Sequence, residues 1–273
     1  MGLIETAVNP WGQTVPIHIE FYLMWVAAIG GLAFLMVHAI YVQFVAAKAS
    51  HAARISPALE AQYPPKIKRH SLVARLFHWV MSVAMFALLI TAFLPRMGYP
   101  FAWVEYHWIA GLVLTASIIF HIFHATFWMD FWSIWPDKED IQEAKWRFLR
   151  ATGKDAPEPR KFGKYPFENK MYHLVIVLSG LAVTLTGVFM MKRVRTPFFT
   201  RNPYLFGDMT WGMMYILHGL AGVGLIGLVM VHVYFALRPE KFVITKSMIG
   251  GDLDRDFYLE HYDQERWKVP AAK

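Results

Sequence analysis

The sequence contains no cysteine among its 273 residues. Cysteine thiolates hold iron–sulfur clusters, anchor c-type haem and form disulfides, so this chain carries none of the three. It also lacks low-complexity tracts and any polar stretch long enough for a separate soluble domain. Charged residues make up only 17% of the chain, whereas 56% of the residues are hydrophobic. This balance is more apolar than that of an ordinary soluble domain and indicates a membrane protein.

Five apolar segments are long enough to cross a bilayer as helices, since about 20 residues span its hydrocarbon core. They cover roughly residues 19–45, 71–94, 103–127, 168–191 and 210–237. Prolines fall in the connections or at the segment ends, where helix breakers belong. Because backbone groups in lipid must pair within the chain, these segments are predicted to be helices. The predicted fold class is all-α, an integral membrane helical bundle with five transmembrane helices.

Basic residues lie mostly on one side of this predicted topology. Of the 27 lysines and arginines, 21 fall in residues 46–70, at Arg75, in residues 129–167 or after residue 237. Cytoplasmic loops carry such an excess. We therefore expect a multi-pass protein of the bacterial cytoplasmic (inner) membrane, with a periplasmic N-terminus and a cytoplasmic C-terminus. The net charge of +7 is then a topology signal, and no nucleic-acid partner is expected.

Four basic residues form an exception on the predicted outer, periplasmic side: Lys192, Arg193, Arg195 and Arg201. Such side chains can extend from the bilayer interface into water without any further role. They can also form a docking patch for an acidic partner. The sequence leaves both interpretations open.

Two pairs of histidines have the same spacing within apolar segments. His107 and His121 are 14 residues apart in the third segment, and His218 and His232 are 14 apart in the fifth. On a helix, 14 residues rise about 21 Å and return to within about 40° of the same face. Each helix would then present two imidazoles near opposite edges of an apolar core about 30 Å thick. Because histidine in hydrocarbon is costly, the matched pairs predict two stacked haems held by imidazoles.

The outer haem is expected between His107 and His218, which lie near the periplasmic ends of their helices. Each is followed four residues later by a glycine, Gly111 and Gly222, which leaves room for a flat macrocycle. The inner haem is expected to use His232. Its partner is either His121 on the third segment or His78 at the start of the second, and helix geometry permits both.

Further polar residues are expected around the inner haem. Glu168, Lys170, His173 and His124 are candidates for a quinone site and for proton exchange, because titratable groups in apolar segments often mark proton chemistry. Glu168 has an alternative interpretation as an exposed carboxylate stabilised by the start of a helix. Four other histidines are expected at the surface: His18, His51, His70 and His261.

Four short motifs surround the predicted ligands: Arg75-x-x-His78-Trp79, His107-Trp-Ile-Ala-Gly111, Leu217-His218-Gly-Leu-Ala-Gly222 and Val231-His232-Val-Tyr234. With these motifs, about residues 69–270 resemble the cytochrome b (gamma) subunits of respiratory formate dehydrogenases. The corresponding subunits of thiosulfate reductases and nickel–iron hydrogenases are relatives.

That resemblance implies a four-helix dihaem membrane anchor with two b-type haems and quinone as a diffusible substrate. It implies His107 and His218 as axial ligands of the outer haem iron, and His78 and His232 as ligands of the inner one. His121 stays the alternative axial ligand, because it resembles a ligand position in the cytochrome b of quinol–cytochrome c oxidoreductases. The implied partners are membrane lipid, an iron–sulfur or multihaem electron-transfer subunit, and a catalytic subunit on the outer side.

The chain departs from the family pattern in two places. The family core has four spans, so residues 1–70 are assigned to an extra N-terminal helix and a cytoplasmic loop. Residues 71–240 then form the dihaem core, and residues 241–273 form a cytoplasmic tail. The run 164–170 also lacks a clear match to the family's quinone-site asparagine and glycine.

The favoured function is a membrane-anchoring cytochrome subunit that carries electrons between a respiratory partner and quinone. Such a subunit has no catalytic centre of its own for the primary substrate. One alternative is a stand-alone transmembrane reductase of the cytochrome b561 type. A second is a proton-coupled transporter, which predicts broken helices and an internal repeat.

Overall fold

The computed structural model describes residues 5–44 and 55–270. In chain order its elements are β1 (Thr6–Val8), β2 (Thr14–Pro16), α1 (Ile19–Phe44), α2 (Pro57–Glu60), β3 (Lys66–Lys68), α3 (Leu72–Phe93), α4 (Trp103–Trp128), α5 (Lys138–Ala151), α6 (Phe167–Met190), α7 (Asp208–Leu237), α8 (Phe242–Gly250), β4 (Asp252–Asp254) and α9 (Arg255–His261). Within the described residues, five helices are long and apolar enough to cross a membrane, namely α1, α3, α4, α6 and α7. The predicted five-span, all-α class is confirmed, and the chain is a multi-pass membrane protein.

Proline sets several of the helix ends. α3 stops at Phe93, shortly before Pro95, and α6 begins directly after Pro166. α7 stops at Leu237, two residues before Pro239. Proline lacks the amide proton that a helix interior needs and disfavours helical geometry in the residue before it. The observed ends of these helices therefore agree with the predicted ends within two residues.

The chain divides into two compact units, and the first comprises Met1–Ala46, Val80–Ile118 and Leu178–Tyr234. Within it, α1 and α7 run parallel, as the first and last of five alternating spans must. Gly219 faces Glu20 so closely that a Cβ at this glycine would collide with the carboxyl group. Eleven residues further along both helices, a Cβ at Gly31 would lie 3.1 Å from Met230 Cε. The equal spacing at both contacts shows the shared direction.

The second unit comprises Ala47–Trp79, Ile119–Val177 and Phe235–Lys273. β3 and β4 pair antiparallel in it, with Ile67 opposite Leu253. Its apolar core consists of six buried side chains: Ile67, Leu253, Tyr258, Leu259, Tyr262 and Trp267. Part of the expected loop and part of the expected tail thus fold together. The predicted domain boundaries at residues 70 and 240 stay predictions, because these units are groups of contacts within continuous helices.

Candidate functional site

A cavity of about 410 Å³ lies in the first unit, with walls from α3, α4, α6 and α7. Its lining is mostly apolar and includes His107 and His218. Glu20 of α1 and Arg96, just beyond α3, also line it. Cofactor sites usually have this character, with volumes of about 300–1,000 Å³ and a few placed polar groups among apolar walls.

The two histidines face each other at a separation that suits a shared metal ion. The ring centres of His107 and His218 are 6.2 Å apart, and the ring planes are inclined by 67°. Two imidazoles that bind one metal from opposite faces, with metal–nitrogen bonds of about 2 Å, have ring centres about 6 Å apart. The predicted outer pair therefore has the spacing that axial ligation of a haem iron requires.

Each of these imidazoles forms a hydrogen bond with a threonine on the preceding membrane helix. Thr91 Oγ1 lies 2.8 Å from His107 Nδ1, and Thr186 Oγ1 lies 2.9 Å from His218 Nδ1. In both rings Nδ1 is thus occupied, so Nε2 is the nitrogen that is left to bind a metal. Sequence reasoning missed both threonines, because a lone threonine in an apolar helix usually bonds only to its own backbone.

The glycines predicted to pack a haem both line the cavity, at Gly111 and Gly222. A Cβ at either position would lie 3.9–4.0 Å from its nearest neighbour, which is ordinary contact. Their role in haem packing stays a prediction. Gly187 is more tightly constrained, since a Cβ there would lie 3.2 Å from His218 Cε1. This glycine allows α6 to approach the imidazole, and no sequence pattern had indicated it.

The predicted ligands of the inner haem belong to different units. His78 lies on α3 in the second unit, and His232 lies on α7 in the first. His121, the alternative ligand, lies on α4 in the second unit. All three positions stay predictions.

Polar rings gather in the second unit in a group that we call the imidazole cluster: His121, His124, His173 and Trp135. The ring of His173 lies 6.5 Å from that of His121 and 5.6 Å from that of Trp135. His121 also stacks on Phe77, with ring centres 4.5 Å apart. Nδ1 of each histidine and Nε1 of Trp135 are buried and have no hydrogen-bond partner among the described residues. Buried polar atoms are normally paired, so this cluster is suited to a polar ligand.

The charged candidates near the start of α6 have different surroundings. Glu168 is exposed, and its carboxylate lies 3.5 Å from Arg147. This exposure agrees with its alternative interpretation as a surface carboxylate at the start of a helix. Lys170 is buried and pairs with Asp140 at 2.5 Å. Arg266 extends this ion cluster, since it contacts Asp140 at 3.4 Å. Lys170 is therefore held by carboxylates rather than left available to a ligand.

The remaining histidines mostly lie outside the two candidate sites. His18 is exposed beside Glu5, and His261 Nδ1 bonds to a backbone carbonyl of its own helix. His51 lies outside the described residues. His70 corrects an expectation, because it is half-buried rather than a simple surface residue. Burial, with a smaller effect from neighbouring Arg69, lowers its pKa to about 3.

The fold and the paired imidazoles define a helical membrane protein built to hold a cofactor between its helices. Residues 69–251 match the family model of prokaryotic cytochrome b561. The chain therefore belongs to the prokaryotic cytochrome b561 family, whose members are transmembrane b-type cytochromes in electron transfer. Membership implies b-type haem. The match includes α3, α4, α6 and α7 but not α1, and comparison with curated proteins finds no match.

Proposed function

We propose that this chain is the dihaem, membrane-anchoring cytochrome b subunit of a respiratory oxidoreductase complex. It carries electrons across the membrane between a partner on the periplasmic side and the quinone pool. The observation that carries the proposal is the 6.2 Å separation of the His107 and His218 rings beside the apolar cavity.

A bound haem supplies a centre that accepts and releases one electron at a time. At the outer site, His107 and His218 would hold the haem iron as neutral imidazoles, and the apolar walls of the cavity would exclude water. Ligand identity and burial are two of the means by which a protein sets a haem's reduction potential. For the inner site, the family-like motifs support His78 and His232. The matched 14-residue spacing also supports His232, and it keeps His121 as the alternative partner.

The imidazole cluster supports the quinone site. Reduction of a quinone takes up two electrons and two protons, so its oxygens need nearby groups that donate hydrogen bonds and exchange protons. His121, His124 and His173 can do both, and Trp135 Nε1 can donate. Their nitrogens that have no partner among the described residues would gain one from the quinone oxygens. Glu168, exposed at the start of α6, would connect this region to water.

If the imidazole cluster binds quinone, a substitution in it should reduce quinone turnover without reducing haem binding. His173→Phe keeps a ring of similar shape but removes the nitrogens. We expect normal haem content and at least about a hundredfold loss of quinone-dependent haem oxidation, because a positioned proton-transfer group contributes about 10²–10⁴-fold to a rate. His18→Phe, at an exposed site in the other unit, is the control. Normal quinone turnover in the His173 variant would reject this site.

The outer basic residues support a docking surface for the partner. Arg193 lies over the rings of Trp211 and Tyr215, at 5.2 and 5.5 Å from their centres. Its guanidinium is thus used within the chain. Arg195 and Arg201 are exposed, so their positive charges lie at the protein surface. An acidic face on an iron–sulfur or multihaem subunit would complement them.

A stand-alone transmembrane reductase is the second candidate, and the family match fits it equally. Gentle detergent purification separates the two functions. We expect a b-type absorption band after dithionite reduction, about two haems per chain, and co-purifying electron-transfer and catalytic subunits. Two haems without any partner would favour the stand-alone reductase. His107→Ala and His218→Ala should each remove one haem, and a wild-type protein without haem would reject both functions.

A further inference from the structure

The hydroxyls that contact His107 and His218 are also bonded to the backbone of their own helices. Thr91 Oγ1 lies 2.7 Å from the Ala87 carbonyl oxygen. Thr186 Oγ1 lies 2.5 Å from the Ala182 carbonyl oxygen. In each case the nearer acceptor is the residue four positions earlier, a usual partner of a threonine that bonds back to its helix. The carbonyl three positions earlier is a second, longer contact, at 3.1 Å from Thr91 and 3.3 Å from Thr186.

These contacts determine where the protons lie. A hydroxyl has one proton to donate and can accept through its lone pairs, whereas a carbonyl can only accept. When Thr91 donates to Ala87, its oxygen is free to accept, and the proton in the bond to His107 must come from Nδ1. The same reasoning applies to Thr186 and His218. Neutral imidazole carries one ring proton, so Nε2 then presents a lone pair.

The opposite tautomer would be unfavourable at this location. It would place a proton on Nε2 of a histidine that lines an apolar cavity, where few acceptors exist. A buried donor that has no acceptor loses its hydrogen bonds to water and gains none in return, which is unfavourable. The threonine proton would also have to leave its carbonyl. The hydroxyls therefore favour the tautomer in which Nε2 can bind iron.

We propose that Thr91 and Thr186 are positioning residues for the outer haem, which hold His107 and His218 as Nδ1–H donors with Nε2 ready to ligate. This inference rests on the proposed haem site. Hydrogen bonds from the second nitrogen of a metal-bound histidine fix ring orientation and raise ligand basicity. A more basic ligand stabilises ferric over ferrous iron, so the two threonines lower the reduction potential of this haem.

The threonine–histidine contact occurs twice in the same form, which supports a functional role for both threonines. In both cases the threonine lies in the last third of one membrane helix, and the histidine lies on the next membrane helix along the chain. Both bonds are of nearly equal length, 2.8 and 2.9 Å. A chance contact would not be expected to recur on both sides of one cavity with the same nitrogen.

The test uses Thr91→Val, Thr186→Val and the double variant in the full-length, detergent-purified protein. Valine keeps the branched shape of threonine and removes the hydroxyl. We expect haem loss to a scavenging apoprotein to be about tenfold faster in each single variant, in line with the loss of one outer-shell partner. We also expect a positive shift in the midpoint potential of the outer haem, about 59 mV for each tenfold change in ferric preference. The low-spin ferric electron paramagnetic resonance signal should broaden as the rings lose their orientation.

Three comparisons make the result decisive. Thr91→Ser and Thr186→Ser keep the hydroxyl and should restore the wild-type potential and haem retention. Thr126→Val is the matched control, since Thr126 bonds back to its own helix at 2.7 Å but does not line the cavity. His107→Ala identifies which component of the redox titration belongs to the outer haem.

Wild-type potential, spectrum and haem retention in the double valine variant would overturn the proposal. Equal losses in the serine and valine variants would also overturn it, because shape rather than the hydroxyl would then be responsible. If the wild-type protein bound no haem, the proposed function would fall along with this inference. Haem in the wild type with unchanged valine variants would reject the threonine role alone.

Discussion

Arg96 Nη2 donates a hydrogen bond of 2.6 Å to Glu20 Oε2, which joins the N-terminal helix to the wall of the cavity that His107 and His218 line. Glu20 also packs against Gly219, the neighbour of the proposed ligand His218. The helix that is extra to the family's four-span core therefore brings a negative charge to the outer site. Arg96 brings the compensating positive charge.

Removal of the negative charge and removal of the positive charge should shift the midpoint potential of the outer haem in opposite directions. Glu20→Gln is expected to raise the midpoint potential, because a carboxylate favours the more positive ferric state, and Arg96→Gln should lower it. Since the pair is partly exposed, each effect should amount to about 1 kcal/mol or less. Redox titration at low and high salt measures this, and both shifts should shrink as salt screens the charges. Shifts of the same sign in both variants would contradict the electrostatic explanation.

The inner ligand can be identified by comparing two single substitutions. His78→Ala should remove the inner haem and leave about one haem per chain. His121→Ala should keep both haems, because its imidazole is assigned to the imidazole cluster. Pigment extraction against protein concentration gives the count for each variant. Loss of a haem in the His121 variant alone would assign the inner ligand to α4 instead.

The buried ion cluster should be important for stability. Lys170→Met would leave Asp140 and Glu143, which are 4% exposed each, with less positive charge nearby. Breaking a buried ion pair costs about 3–5 kcal/mol, and we expect the lower value because Arg266 still contacts both carboxylates. Thermal unfolding in detergent provides the measurement.

Lys66→Met is the matched control for that substitution, since Lys66 pairs with Asp254 at an exposed site. It should change the unfolding temperature little. A second variant, Lys170→Met with Asp140→Leu, should recover part of the loss, because the buried carboxylate that has lost its lysine partner is then absent. Equal unfolding temperatures for wild type and Lys170→Met would show that the buried pair contributes nothing.

Acid should destabilise the protein partly through His70. Its pKa in the folded state is about 3, below the usual value, because burial and Arg69 disfavour the charged form. In the unfolded chain, His70 has the usual histidine pKa of about 6.5. Between pH 6.5 and pH 3 the unfolded chain therefore binds a proton that the folded protein does not, so stability falls as the pH drops through this interval. His70→Gln cannot take up this proton. Its unfolding temperature should therefore depend less steeply on pH over that interval, and an unchanged slope would contradict the assignment.

The membrane helices were predictable because the length of an apolar run is a local property of the sequence. The ends of α3, α4, α6 and α7 agree within two residues because prolines and charged residues mark them. The antiparallel pairing of β3 with β4 was not predictable, since Ile67 and Leu253 are far apart along the chain. The amphipathic helix α5 was also missed, because it lies within a charged connection.

At the candidate sites, residue type and spacing identified His107 and His218, since histidine is rare in hydrocarbon. The partners of these side chains did not follow from the sequence. Thr91 and Thr186 are ordinary residues for a membrane helix, and the role proposed for them rests on their contacts with the two histidines. Likewise, Lys170 carries a charge suited to a ligand site, but the structure pairs it with Asp140.

The placement of Glu20 has a consequence for how the protein is assembled in the cell. α1 and α7 are neighbours in the first unit, yet three other membrane helices lie between them along the chain. The wall that these two helices share around the cavity is complete only when α7 has been inserted. A cofactor at the proposed outer site would therefore be loaded after the synthesis of α7.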